Sequence, residues 1–190
     1  MKKIFVALLI VLLGGLGLYY WNNDKEPAQE PVARFTDDLS GLTFEYPEGE
    51  NGYVVLEQEG NSSEPELVKR LVIMQQADYQ SVLGGEREGG EGPASIVVQI
   101  YQNSSNLTPR EWIERYPGAS NFPLITGKIN EDDIAGQNAI TYEADGLYAS
   151  RNAVFASGSM IYHVNGQFMD RESDLYQTYN QILESLEVQE

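Results

Sequence analysis

The longest apolar run in the chain is its first. From Ile4 to Trp21 no charged side chain interrupts it. Eighteen helical residues reach about 27 Å at about 1.5 Å each, enough for the hydrocarbon core of a bilayer. Lys2 and Lys3 precede the run, and Tyr19, Tyr20 and Trp21 close it. Cations before the span and amphipathic rings after it predict a signal anchor, with the N-terminus cytoplasmic and everything after Trp21 outside. A second reading stays open: Gly15-Leu16-Gly17 would serve as a cleavage site after the shorter run Ile4–Leu13, releasing a secreted form. Both readings export the rest of the chain.

Beyond the run the pattern changes. Asn22–Ala33 is polar and holds Pro27 and Pro31, which predicts an extended linker over residues 22–33 and a folded domain over 34–190. Strand signals follow. Leu42–Tyr46 alternates apolar and polar residues and stops at Pro47. Tyr53–Leu56 is short and rich in valine, whereas Leu67–Gln76 and Ala94–Gln102 each carry a run suited to burial. Between those two, Gly84–Gly92 has five glycines and three glutamates, with no apolar face to bury, and reads as a loop.

Thr108-Pro109-Arg110-Glu111 is a capping box, with Thr as N-cap, Pro at the first helical position and Glu at the third. Trp112, Ile113 and Tyr116 give the helix one apolar face before Pro117-Gly118 ends it. Strands over Gln137–Ala144, Ser150–Ala156 and Met160–Asn165 are separated by turn residues: Asp145-Gly146, then Ser157-Gly158-Ser159, with Asn165-Gly166 after the third. Leu175, Tyr176, Tyr179, Ile182, Leu183 and Leu186 make a broad apolar stripe on a helix from Ser173 to Leu186. Strands, helix, strands, helix predicts an α+β fold: an antiparallel sheet flanked by helices, preceded by one transmembrane helix.

Charge removes whole classes of function. Twelve Lys and Arg against 29 Asp and Glu leave −17 at pH 7. Residues 1–21 hold two of the cations and none of the acids, so the remainder carries 10 − 29 = −19. Nucleic acid is not an expected partner, because binding it requires cations that displace condensed counterions. Such a domain is also repelled by anionic headgroups. No cysteine is present, which excludes disulfides, thiol nucleophiles and Cys-based zinc sites, and a single histidine cannot build a multi-His metal centre.

What chemistry remains is sparse. His163 lies in Ile161-Tyr162-His163-Val164, where strand alternation sets it on the face opposite Tyr162 and Val164. It reads either as a general base or as a hydrogen-bonded sheet residue. Ser157-Gly158-Ser159 lacks the flanking glycines of a nucleophile elbow, and Gly127-Lys128 lacks the glycines of a phosphate loop. Tyr142, Tyr148 and Tyr162 fall on neighbouring predicted strands and, with His163, are the candidate binding residues: wet tyrosines on a sheet can form a platform for sugars or partners. The acidic stretch Glu131-Asp132-Asp133, and separately Glu86, Glu88 and Glu91, offer hard oxygen ligands for Ca²⁺, although neither has the alternating spacing of a calcium loop; the competing reading is a solvated acidic turn. No other cofactor is expected.

Two short motifs resemble a known family. Phe35-Thr36-Asp37 followed by Gly41-Leu42-Thr43-Phe44-Glu45-Tyr46-Pro47 resembles the opening of PsbP-like domains, and Tyr179-Asn180-Gln181-Ile182-Leu183-Glu184-Ser185-Leu186 resembles their terminal helix. A tryptophan common in that family soon after the Tyr-Pro is replaced here by Glu48–Tyr53. The resemblance implies an α/β/α sandwich around an antiparallel sheet, a fold shared by many small membrane-anchored bacterial proteins. It carries over no metal or partner-binding residue. The expectation is a single-pass protein of the cell membrane, held through residues 4–21. Its extracytoplasmic domain binds an envelope protein or ligand. The alternative is an exported hydrolase that works through carboxylates.

Overall fold

The computed structural model describes residues 31–85 and 92–189. Strands β1 (Val32–Asp37) and β2 (Leu42–Pro47) make a hairpin, which the two-residue strand β10 (Glu187–Val188) extends into a three-stranded antiparallel sheet. The hairpin turn explains the first family-like motif. Asp37 accepts from the Ser40 amide at 3.0 Å, and Gly41 turns the chain with φ +69°. A Cβ on Gly41 would stand 2.4 Å from the Gln189 carbonyl oxygen, so only glycine fits. Leu42 and Phe44 beyond the turn are fully buried.

The large sheet has seven strands in the order β3-β4-β5-β9-β8-β7-β6, every neighbouring pair antiparallel. They are β3 (Tyr53–Glu59), β4 (Leu67–Gln75), β5 (Ile96–Gln102), β6 (Ile125–Ile134), β7 (Gln137–Asp145), β8 (Ala149–Ser157) and β9 (Met160–Phe168). Alternation gives the sheet two faces. The first presents Leu71, Ile73, Ile96, Val98, Ile100, Ala153, Phe155, Tyr162 and Val164, all buried in the main core against Leu42 and Phe44.

Among the described residues lie four α-helices: α1 (Gln76–Leu83), α2 (Pro109–Arg115), α3 (Pro117–Ser120) and α4 (Asp174–Ser185). The Ser173 hydroxyl caps α4 by accepting from the Tyr176 amide, and its stripe Leu175, Tyr179, Ile182 and Leu186 closes the main core. Each such side chain contributes about 1.5–3 kcal/mol when fully buried. The capping box of α2 forms as read: the Thr108 hydroxyl accepts from the Glu111 amide, and Glu111 accepts from the Thr108 amide at 2.8 Å. Trp112 and Ile113 then seal a second, smaller core with Tyr101, Ile140, Tyr142, Val154 and Ile161 on the other face of the sheet. Pro117 ends α2 and at once begins α3, which stops at Asn121 with φ +56°.

Several expectations need correction. Asn165-Gly166 is not a turn: β9 runs through it to Phe168, because the Tyr179 ring lies against Gly166 so closely that a Cβ would come within 2.3 Å. Pairing of Val32 with Pro47 starts the fold inside the segment read as linker. Glu131-Asp132-Asp133 is not a turn but part of β6, an edge strand whose exposed charges discourage pairing with another chain. Helix α1 buries no side chain, so no apolar stripe announced it. The run 4–21, with its anchor and cleavage readings, and Glu86, Glu88 and Glu91 of the glycine-rich loop lie outside the described residues. Among the described residues no helix is long and apolar enough to cross a membrane.

Candidate functional site

Helices α2 and α3 cover only part of the second face. Registers across the sheet place Arg70 beside Gln99, Gln99 beside His163, and His163 beside Val154. The next rung runs Val72, Val97, Asn165, Asn152, Tyr142, and beyond it Gln167 faces Ser150. Polar side chains in the middle of a sheet are costly unless they satisfy one another. These do. The Asn152 carbonyl oxygen contacts His163 Nε2 at 2.9 Å and accepts from the Asn165 amide at 2.7 Å, while the Asn152 amide donates to the Ser150 hydroxyl at 3.2 Å. Ser150 donates onward to the Ala144 carbonyl. An oxygen already accepting from Asn165 requires His163 Nε2 to donate, which makes Nδ1 the unprotonated nitrogen. Neither that Nδ1 nor Trp112 Nε1 has a protein hydrogen-bond partner, and their rings stand 6.1 Å apart.

Burial alone pushes the His163 pKa down to about 4, so the imidazole is neutral at pH 7. The ring is fully buried, with no nitrogen open to a reacting group from solvent. Its geometry fits the hydrogen-bonded sheet residue rather than the general base.

Asn165 and Ser150, both oriented by Asn152, line a cavity of about 390 Å³ on the uncovered part of the face. Arg70, Ser95, Tyr148 and Gln167 line it too, and Asn121 and Leu124 close one side. The Gln167 side-chain oxygen accepts from the Ser95 amide at 3.3 Å, and the Tyr148 hydroxyl donates to the Gly92 carbonyl at 3.2 Å. Arg70 also borders a second cavity, of about 810 Å³, with Glu64, Tyr101, Arg115 and Tyr116. Among the described residues Arg70 makes neither an ion pair nor a hydrogen bond. Its neighbour Lys69, on the opposite face, bonds Asp37 and Glu57, and Arg34 and Arg171 are also paired with carboxylates.

The three candidate tyrosines do not form a platform. Tyr162 is sealed in the main core, donating to the Ser40 carbonyl at 2.7 Å, and burial next to the Asp37 charge pushes its pKa up to about 12. Tyr142 is sealed on the opposite face, donating to the Ser120 carbonyl, and burial raises its pKa as well. Only Tyr148 reaches a cavity. The acidic candidates also separate. Strand geometry turns Asp132 away from Glu131 and Asp133, and among the described residues no three His, Cys, Asp or Glu side chains gather as a metal site.

Asp37 is buried beneath Lys69. Burial pushes its pKa up, but the bonds from Lys69 and Ser40 outweigh that and hold the carboxyl below its usual value. Lys69 is raised in turn by its bond to Asp37. The pair ties the β1–β2 turn to β4, and the family-like Asp belongs to that support.

No protein-family model matches the chain, and no curated protein does. Among solved structures, the cyanobacterial PsbP (CyanoP) of Synechocystis is similar in fold, with a TM-score of 0.54 over 87% of this chain and 96% of that one. Sequence identity is 14%, so the likeness is one of fold. The domain has a PsbP-like α+β fold, as the two short motifs implied.

Proposed function

We propose that this chain is a binding module of the cell envelope, held to the membrane through residues 4–21 and displaying its PsbP-like domain on the outer side. The uncharged run after Lys2 and Lys3 supports the anchor, and the PsbP-like fold supports an interaction role. The observation that carries the binding site is the 390 Å³ cavity whose Asn165 and Ser150 are both held by one fully buried asparagine. Groups fixed in advance lose little freedom when a ligand arrives. The carboxylate hydrolase has less support. It needs an acid held above its ordinary pKa, whereas Asp37 and Glu111 are both held low.

A photoreactive residue at Leu147, exposed on the cavity rim, is to be compared with one at Met169, which is exposed and does not line the cavity. After irradiation of intact cells, mass spectrometry of the recovered chain should find an added mass on the peptide containing residue 147 and none at 169. Equal labelling at the two positions, or none at 147, contradicts the reading.

A further inference from the structure

Taking that cavity as the binding site, we infer that its ligand is a saccharide bearing a carboxylate. Three features of the lining, and one side chain behind it, bear on this chemistry. First, Arg70 is the only charged residue among the fourteen described residues that line the cavity, in a chain with 29 acids. A guanidinium without a partner among the described residues offers a planar fork that matches a carboxylate.

Second, the remaining polar groups mix donors and acceptors, as an array of sugar hydroxyls requires. Asn165 gives its amide to Asn152 and keeps its carbonyl oxygen, whereas Gln167 engages its oxygen with the Ser95 amide and keeps its NH₂ group. A hydroxyl, being both donor and acceptor, can answer each of them.

Third, Tyr148 has its hydroxyl occupied by the Gly92 carbonyl, which leaves its ring as an apolar face for the C–H side of a sugar. Fourth, His163, neutral and out of reach of the ligand, acts as a positioning residue: its Nε2–H fixes the Asn152 oxygen, and Asn152 in turn orients Asn165 and Ser150.

Other occupants fit less well. A peptide strand would need a free sheet edge, but the cavity lies over β5, β9 and β8 in the interior of the sheet. A free phosphate would use Arg70 and leave the amide pair of β9, Asn165 and Gln167, unanswered.

Calorimetric titration of the full chain in detergent with glucuronate, glucose and inorganic phosphate, at matched ionic strength, tests the inference. Glucuronate should bind at least about tenfold more tightly than glucose or phosphate, and Arg70→Gln should remove about tenfold of that affinity. Arg70 is exposed and has no partner among the described residues, so the substitution removes no described contact of the fold. Arg70→Lys should restore part of the loss, since the charge returns without the fork. Equal affinity for glucose and glucuronate, preference for phosphate, no binding of any of the three, or no effect of Arg70→Gln overturns the inference. If labelling at residue 147 persists in any of those cases, the binding reading stands and only the ligand class falls.

Discussion

His163 is the side chain on which the second face of the sheet depends most visibly. Its pKa is near 4 in the fold and about 6.5 in an unfolded chain. A depressed value means that the unfolded state binds the proton first. The stabilisation is therefore complete above pH 6.5 and is lost as the pH falls from 6.5 to 4. The shift corresponds to about 3 kcal/mol. Urea unfolding between pH 7 and pH 4 should show this decline, and His163→Gln should flatten it. An equal decline in that variant would mean that the carboxylates carry the pH dependence. Asp37, held below its usual value by Lys69 and Ser40, adds its own loss only at more acidic pH.

At the scale of the element, β9 couples the two faces of the sheet. Tyr162 and Val164 point into the main core, His163 and Asn165 into the polar network, and Gly166 receives the ring of Tyr179 from α4. Gly166→Ala would put a methyl group 2.3 Å from a ring carbon of a tyrosine only 1% exposed. Overpacking of this kind costs about 1–3 kcal/mol. Thermal unfolding should detect it, and an unchanged midpoint would mean that the glycine is not required by packing.

Strand β9 also shows how far the residue pattern can be read. Its core, the capping box at Thr108 and the stripe of α4 are legible because each buries one apolar face at a regular spacing. Asn165-Gly166 misleads because a turn dipeptide and a close helix–sheet contact call for the same small residue. Strand β6 escapes because an edge strand with Glu131, Asp132 and Asp133 in the open has no buried stripe to show. Helix α1 escapes for the same reason.

The cavity was legible only in part. Tyr148 and His163 are singled out by residue type, but one lines the cavity and the other stands behind it. Ser150 and Asn152, like His163, Asn165 and Gln167, alternate at i, i+2, which places them on a single face. That spacing was the available signal. It gains meaning only when antiparallel register sets β8 beside β9. Arg70 could not be found from spacing at all, because its lack of a partner is a property of the folded surface.

On the scale of the whole molecule, the acids and the Arg70 guanidinium, unpaired among the described residues, divide the surface. The chain carries −17, yet among the described residues no carboxylate lines the 390 Å³ cavity. In the proposed setting above a bilayer, the acidic exterior keeps the domain away from anionic headgroups, and the cavity keeps a local cation for its ligand. Placement and recognition then draw on different parts of the same charge distribution. The fold is PsbP-like, but a shared fold does not transfer a ligand. The claim of a binding cavity has to be tested on its own residues.

The most direct measurement follows the side-chain amide NMR signals of Asn165 and Gln167 in the full chain, as a small-molecule extract of the source's envelope is added. The account predicts that these two signals move together and saturate, while the Asn61 signal, outside the cavity, stays in place. Unmoved Asn165 and Gln167 signals, with shifts confined to residues elsewhere, would contradict it.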